Sequence, residues 1–476
     1  MKVLKGFIWK SLQQYSTYFL KLVFQVILAR ILSPNEFGIL AEMLVFITVA
    51  EAFANGGFGT ALIQKKDADE LDFGTSIISS LLVSICLYII IFVCAPWIAA
   101  FYEEAELTGL LRIFGIAIPF FAFNSIQNAF LLKKYETKAM FISSFVSTVL
   151  SGVVAVIVAY RGGGAFSLVL QSLLSMVFNV IILQVLARWK PAIVFSKERF
   201  CSLFSFSWKI VLSQLLGNLL ENIYNLFIGK KYTSEVLGYY NRGNSFPSTI
   251  IGQLRTAVST ITLPFFSDNQ EDKSLLLQNV KKITHISVLI MFPMAFGLAA
   301  IAEPLVKLLL TDKWLPCVFF LRLECIFYGS LPISASVGNG MIAVGRSDLS
   351  LKLEGIKFIL TIISVLAIGN LSIEALCISR VLISVLIILI SVFFSRTVIG
   401  YGFKELLDDI WLPFALSAAM GVLCYLSGML IHNLLLQLLL EFAVGCVSYL
   451  GGVMLFMKKD VAEFKSILGK YLHSNT

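Results

Sequence analysis

Apolar runs long enough to cross a bilayer recur along nearly the whole of this 476-residue chain. A helix needs roughly 20 residues to span the hydrocarbon core, and a chain inside lipid must satisfy its backbone groups internally, which favours helices. Runs this long and this frequent rule out a water-soluble globular enzyme. Only 14% of the residues are charged and 58% are hydrophobic, whereas about a quarter of a soluble domain is charged. Disordered and collagen-like chains are excluded on the same grounds. The fold class expected is an all-α polytopic membrane protein.

Fourteen transmembrane helices are expected, at 8–32, 38–62, 75–100, 108–132, 139–160, 164–187, 206–229, 244–267, 281–309, 316–344, 351–369, 373–397, 409–431 and 434–457. The longest connection, near 188–205, carries Arg188, Lys190, Pro191, Lys197 and Arg199 and reads as a linker. Lysine and arginine gather in loops on the side of the N-terminus, as at Lys65 and Lys66, Lys133, Lys134 and Lys138, and Lys458 and Lys459. The other side holds few, among them Arg30 and Arg161. The positive-inside rule then puts both termini in the cytoplasm, with Glu103, Glu104 and Glu106 facing outward.

The net charge of +8 follows from this orientation. It does not point to nucleic acid, because no basic stripe with interleaved aromatics lies outside the apolar runs. The first run is interrupted by Lys10, Gln13, Gln14 and Lys21, so it reads as a retained amphipathic helix and not a signal peptide. The eight cysteines form no C-x-x-C pair and the three histidines are scattered. Neither a metal site nor a cofactor is expected.

An internal repeat is legible. Span one runs from Trp9-Lys10 to Leu32-Ser33-Pro34-Asn35-Glu36-Phe37-Gly38, and span seven from Trp208-Lys209 to Tyr232-Thr233-Ser234-Glu235-Val236-Leu237-Gly238. Span four holds Leu111-Arg112-Ile113, Pro119 and Asn128, and span ten Leu321-Arg322-Leu323, Pro332 and Asn339. The offset is about 200 residues at span one and about 210 at span four. Six helices per repeat make the halves parallel, as in transporters built from duplicated bundles. The expected division is a first lobe at 1–190, a linker at 191–205, a second lobe at 206–400, and an appended helix pair with a cytoplasmic tail at 401–476. Two like lobes leave a cleft that rocking would open to alternate sides.

Several segments resemble a known family. They are Gly6-x-x-Trp9, Ala29-Arg30-x-Leu32-x-Pro34-x-x-Phe37-Gly38, Gly57-Phe58-Gly59-x-x-Leu62-Ile63-Gln64, Leu237-Gly238-Tyr239-Tyr240-Asn241-Arg242, Leu263-Pro264-Phe265-Phe266-Ser267, Glu303-Pro304-Leu305-Val306 and Asn339-Gly340. The ordered set resembles the Wzx-type polysaccharide flippases, colanic-acid and teichuronic-acid branch, of the multidrug/oligosaccharidyl-lipid/polysaccharide exporter superfamily. That resemblance implies two six-helix lobes in a V. It also implies transport of undecaprenyl-diphosphate-linked oligosaccharide repeat units across the bacterial cytoplasmic membrane, coupled to a proton or sodium gradient. Other polysaccharide assembly proteins would be partners. The segment Glu221-Asn222-Ile223-Tyr224-Asn225 and the last two helices depart from the commonest pattern, which leaves the coupling ion open.

A charge at mid-bilayer costs about 2.5–3.5 kcal/mol on insertion scales, so such residues face a cavity or a partner. Lys21, Glu51, Glu221 and Arg255 lie deepest. On the repeat offset Lys21 matches Glu221, and Glu51 falls near the counterpart of Arg255. Three arrangements are consistent with this: ion pairs between lobes, phosphate binding by Lys21 and Arg255 with Glu51 or Glu221 carrying the coupling ion, or pairing within each lobe. Arg112 and Arg322, at matching positions, would either grip a diphosphate through bidentate hydrogen bonds or anchor their helices. Gln25 shares a helical stripe with Lys21, and Asn128 adds an uncharged polar group suited to sugar hydroxyls. Glu354 and Lys357 have i,i+3 spacing and are expected to pair. Rival readings are a drug exporter or lipid II flippase on the same scaffold, and a membrane-embedded glycan polymerase or ligase. The last needs acid/base groups on a substantial loop, and the outward loops here are short.

Overall fold

The computed structural model describes residues 2–268, 272–431, 433–458 and 462. All regular structure among them is helical. The helices are α1 (Lys2–Ile31), α2 (Pro34–Asn55), α3 (Phe58–Gln64), α4 (Glu70–Tyr102), α5 (Glu106–Gly115), α6 (Ala117–Lys133), α7 (Thr137–Tyr160), α8 (Gly164–Ala187), α9 (Lys197–Lys231), α10 (Ser234–Pro247), α11 (Gln253–Ser267), α12 (Lys273–Ala300), α13 (Ala302–Leu310), α14 (Cys317–Ala343), α15 (Ser347–Ile368), α16 (Ile373–Val398), α17 (Phe403–Gly428) and α18 (Leu434–Phe456). One π-helical turn, Ser248–Gly252, joins α10 to α11.

Local sequence sets the ends. Pro34 opens α2 at a position that needs no N–H, and Glu36 folds back to accept from the Ser33 N–H at 2.5 Å. Asp69 caps α4 by accepting from Asp72 N–H at 2.9 Å. Gly56 and Gly57 adopt φ of 56° and 66°, a left-handed conformation that glycine enters without steric cost. They break the second expected span into α2 and α3.

Eleven stretches among the described residues are long and apolar enough to cross a membrane: α2 with α3, α4, α5 with α6, α7, α8, α9, α12, α14, α16, α17 and α18. The chain is a multi-pass membrane protein. The other three expected spans are helical but too polar to meet that test. α1 carries Lys10, Gln13, Gln14, Lys21 and Gln25. Residues 234–267 carry Glu235, Asn241, Arg242, Asn244 and Arg255, and α15 carries Asp348, Lys352, Glu354 and Lys357. The expected cytoplasmic tail past residue 458 lies outside the described residues, apart from residue 462.

The chain forms two compact units, Met1–Asn241 and Arg242–Thr476. In the first, α1 packs on α7, α7 on α8, and α2 on α4, α6 and α9. Met43, Ile47, Ala54, Ala95, Leu111 and Phe114 are buried at its centre. In the second, α12 packs on α14 and α17, α14 on α16, and α17 on α18, around Val280, Val288, Val337 and Met341. Within the first unit the N-terminal turns of α2 and α10 cross backbone to backbone. A Cβ at Gly38 would overlap the Ser234 carbonyl, and one at Gly238 would overlap the Pro34 carbonyl. These are the two glycines of the repeated motif, each meeting the other's helix start.

Prolines explain several polar contacts. A proline inside a helix removes the N–H that would bond the carbonyl four residues back, and apolar surroundings make an unmet carbonyl costly. Pro96 orphans the Phe92 carbonyl, and Arg112 Nε donates to it at 3.2 Å. Pro293 orphans Leu289, which accepts from the Tyr449 hydroxyl at 2.6 Å. Pro413 orphans Asp409, whose carbonyl lies 2.8 Å from His285 Nδ1. A carbonyl only accepts, so that ring nitrogen carries a proton. The last two bonds fasten α18 and α17 to α12.

Candidate functional site

α1 is exposed on two separate faces. Ile8, Leu12, Tyr15 and Phe19 form an apolar one. Gln14, Tyr18, Lys21 and Gln25 form a polar one. At 3.6 residues per turn the two faces lie about 120° apart. Apolar side chains suit lipid, whereas a lysine and two glutamines do not. The polar face of α1 is therefore unsuited to hydrocarbon.

Behind that face runs a chain of uncharged hydrogen bonds through four helices. Gln13 of α1 and Asn179 of α8 both donate to Ser144 Oγ of α7, at 2.7 and 3.2 Å. Asn124 of α6 donates to Asn179 Oδ1 at 2.8 Å, and Asn128 donates to Asn124 Oδ1 at 2.8 Å. Asn128 is thus half-buried and part of this network. Gln127 is fully buried and turned to α8, where it donates to Gln184 at 2.6 Å. Glu51 is half-buried on α2 beside Asn55, within range of the Lys21 charge. Lys21 and Glu51 both lie in the first unit, each within reach of the other's charge, and among the described residues no ion pair joins them.

α9, the counterpart of α1, repeats the two-faced pattern. Leu212, Leu216 and Leu219 are exposed on one side, and Ser213, Gln214 and Glu221 on another. A second polar ladder ties it to its neighbours. Asn218 Nδ2 donates to the Thr48 carbonyl of α2 at 3.3 Å, Asn225 Nδ2 to Asn222 Oδ1 at 3.2 Å, and Asn241 Nδ2 of α10 to Asn225 Oδ1 at 3.2 Å.

In the second unit Arg255 lines a narrow cleft with about 190 Å³ of space free of atoms, beside Ser259, Thr262, Pro332, Ser336 and Asn339. Its Nε is buried without a hydrogen-bond partner. The preceding π turn re-aims the helix by one residue, a distortion found often at functional sites. An arginine N–H pointed into a polar cleft is a ready donor for an anionic oxygen.

Arg112 and Arg322 are half-buried and engaged alike. Arg112 lies over the Phe92 ring at 4.4 Å while its Nε holds the Phe92 carbonyl. Arg322 Nε donates to the Ala299 carbonyl at 3.3 Å, in the last turn of α12 where carbonyls lack helical partners. Its guanidinium lies 5.9 Å from the Tyr425 ring centre. Two other intramembrane charges form a buried pair, Arg380 with Glu324 at 2.7 Å. Lys357 and Glu354 pair at 3.5 Å, as their spacing predicts.

The structure adds a cluster that sequence reasoning missed. Glu42 of α2, fully buried, accepts from Ser234 Oγ of α10 at 2.8 Å, and Glu104 lies 3.0 Å from the same oxygen. The signal was present: Glu42 and Glu51 are the two acids in the apolar span expected at 38–62.

Comparison with known proteins agrees with this architecture. Residues 27–319 match the family described as "Polysaccharide biosynthesis protein". The chain is 25% identical over 427 residues to the teichuronic acid biosynthesis protein TuaB of Bacillus subtilis, covering 89% of this chain and 88% of that one. It is 23% identical to the lipopolysaccharide biosynthesis protein WzxC of Escherichia coli, covering 90% and 88%. Among solved structures, the lipid II flippase MurJ in an inward closed conformation superposes with a TM-score of 0.77 at 15% identity, covering 95% of this chain and 100% of that one. An inward-facing MATE family transporter of the MOP superfamily gives 0.62 at 16% identity, covering 82% and 98%. The fold is that of these transporters, and the chain belongs to the polysaccharide biosynthesis protein family.

Proposed function

We propose that this protein is a flippase for lipid-linked oligosaccharide. It carries undecaprenyl-diphosphate-linked repeat units across a bacterial cytoplasmic membrane by alternating access, and polysaccharide export depends on it. The observation that carries this reading is the exposed polar face of α1, with Lys21 and Gln25 on it and the Gln13–Ser144–Asn179–Asn124–Asn128 chain behind it. Hydroxyl-rich sugars need many uncharged donors and acceptors, and a diphosphate needs cations that are not already spent. Lys21 and Arg255 fill the second role. Arg112 and Arg322, whose Nε protons go to carbonyls, hold their helices in place. Glu51 and Glu221 are the candidates for coupling to a proton or sodium gradient.

The fold shared with the lipid II flippase and the MATE transporter supports transport in preference to catalysis, and family membership and the relatives' names support a polysaccharide cargo. In this reading the chain makes fourteen crossings with both termini in the cytoplasm, α1, residues 234–267 and α15 being the three polar ones. The lobes follow the repeat, at 1–190 and 206–400. Export assayed in a host stripped of its own flippase tests the site. Arg255→Ala and Lys21→Ala each reduce polymer at the surface by about ten-fold or more, the loss of one charge-assisted contact, with protein in the membrane at normal levels. Normal export by both variants would refute the assignment.

A further inference from the structure

The crossing of α2 and α10 holds a chemical contradiction unless a proton is counted. Ser234 Oγ lies 2.8 Å from Glu42 Oε1 and 3.0 Å from Glu104 Oε1. A hydroxyl has one proton and can donate one such bond, while an ionised carboxylate can only accept. If both acids were charged, one carboxylate oxygen would face the serine lone pairs at hydrogen-bond distance. Both contacts are full two-centre hydrogen bonds only when one acid is protonated and donates to Ser234 Oγ; a single shared proton would leave each the weaker half of a three-centre bond.

Burial decides which acid. Glu42 is 0% exposed, Glu104 is half-exposed, and loss of solvent disfavours the charged form. Among the described residues, no ion pair to Glu42 is formed. Lys230 of α9 is 3.1 Å from Glu103. Charged groups on the segments around the crossing include Glu36 on α2, which bonds the Ser33 amide, Glu235 on α10, which accepts from the Tyr239 hydroxyl at 2.8 Å, Glu106, which opens α5, and Arg30 and Lys231, in the last turns of α1 and α9. The N-terminus of α10 favours a single negative charge beside Ser234, which Glu104 supplies. Glu42 Oε2 and the Tyr102 hydroxyl, the latter in a side chain only 6% exposed, are buried without hydrogen-bond partners. Both side chains converge on Gly229.

We propose that the α2–α10 crossing is a proton-binding site, in which Glu42 holds a proton and Ser234 relays it to Glu104 at the surface. The transfer balances: the Glu42 O–H bond breaks as its proton joins Ser234 Oγ, and the original serine proton passes to the Glu104 carboxylate. Glu42 is left ionised and buried, now accepting from Ser234 the bond it had donated, and Glu104 carries the proton at the surface. The proposal stands whatever molecule the protein carries.

Infrared difference spectra of the purified full-length protein in lipid discs at neutral pH test it. Wild type minus Glu42→Gln is expected to show a protonated-carboxyl C=O band that moves in D₂O. Ser234→Ala is expected to shift that band and to slow its deuterium exchange by about ten-fold or more, because the relay is cut. A difference spectrum with carboxylate bands alone, whether sodium or nothing sits there, would overturn the proposal. If Glu42→Gln does not fold, Ser234→Ala decides: a protonated-carboxyl region unchanged from wild type is equally contrary.

Discussion

Individual polar side chains here do two kinds of work, and the bonding partner tells them apart. Arg112 shows the first kind. Its partner is a carbonyl that Pro96 has left without an N–H, so its value to the fold should vanish when the proline does. Arg112→Ala is expected to cost about 1–3 kcal/mol of stability, the range for a hydrogen bond to a charged group. In a Pro96→Ala background, where residue 96 regains its amide, the same change should cost well under that, and thermal unfolding of the four proteins closes the cycle. Equal losses in both backgrounds would mean that Arg112 acts elsewhere. Arg255 shows the second kind, with a buried Nε that no protein atom answers. The sequence singled out both arginines, because a charge inside an apolar run is conspicuous. It could not separate them, since the carbonyl that occupies Arg112 belongs to another helix, twenty residues back in the chain, and is left open by Pro96.

Among helices, apolar length made most spans legible to within a few residues, while interruptions were hidden. The split between α2 and α3 rests on two glycines in an otherwise apolar run, and the π turn at Ser248–Gly252 has no compositional mark at all. Of the three helical stretches too polar to meet the membrane-span test, α1 carries Lys21 and Gln25, the stretch through α11 carries Arg255, and α15 carries the Glu354–Lys357 pair. The repeat was visible as matching motifs, but what its glycines accomplish was not: close approach is a property of two segments 200 residues apart, seen only when α2 and α10 meet. Gly38→Ala should therefore force that crossing apart, since its Cβ would overlap backbone and not a side chain that can swing aside. The expected result is about a ten-fold or greater fall in export with the protein still in the membrane, because opening one contact costs at least the roughly 1.4 kcal/mol of such a factor. Wild-type export by this variant would show that the crossing need not close.

For the molecule as a whole, the claim that ties these features together is vectorial movement of an amphiphile: a hydroxyl-rich, anionic headgroup through a hydrated space, with its tail left in lipid. The cost of charge in hydrocarbon explains why so apolar a chain keeps polar faces on α1 and α9 and a free arginine N–H in a cleft. A drug exporter on this scaffold would have no need of the long uncharged network from Gln13 to Asn128. The most direct test is reconstitution of the purified protein in liposomes with one defined undecaprenyl-diphosphate oligosaccharide on a single leaflet, followed by capture of sugar on the other leaflet with a membrane-impermeant lectin. The account predicts protein-dependent appearance of the sugar that Arg255→Ala abolishes. Equal rates in protein-free and wild-type liposomes, with or without an imposed proton or sodium gradient, would contradict it.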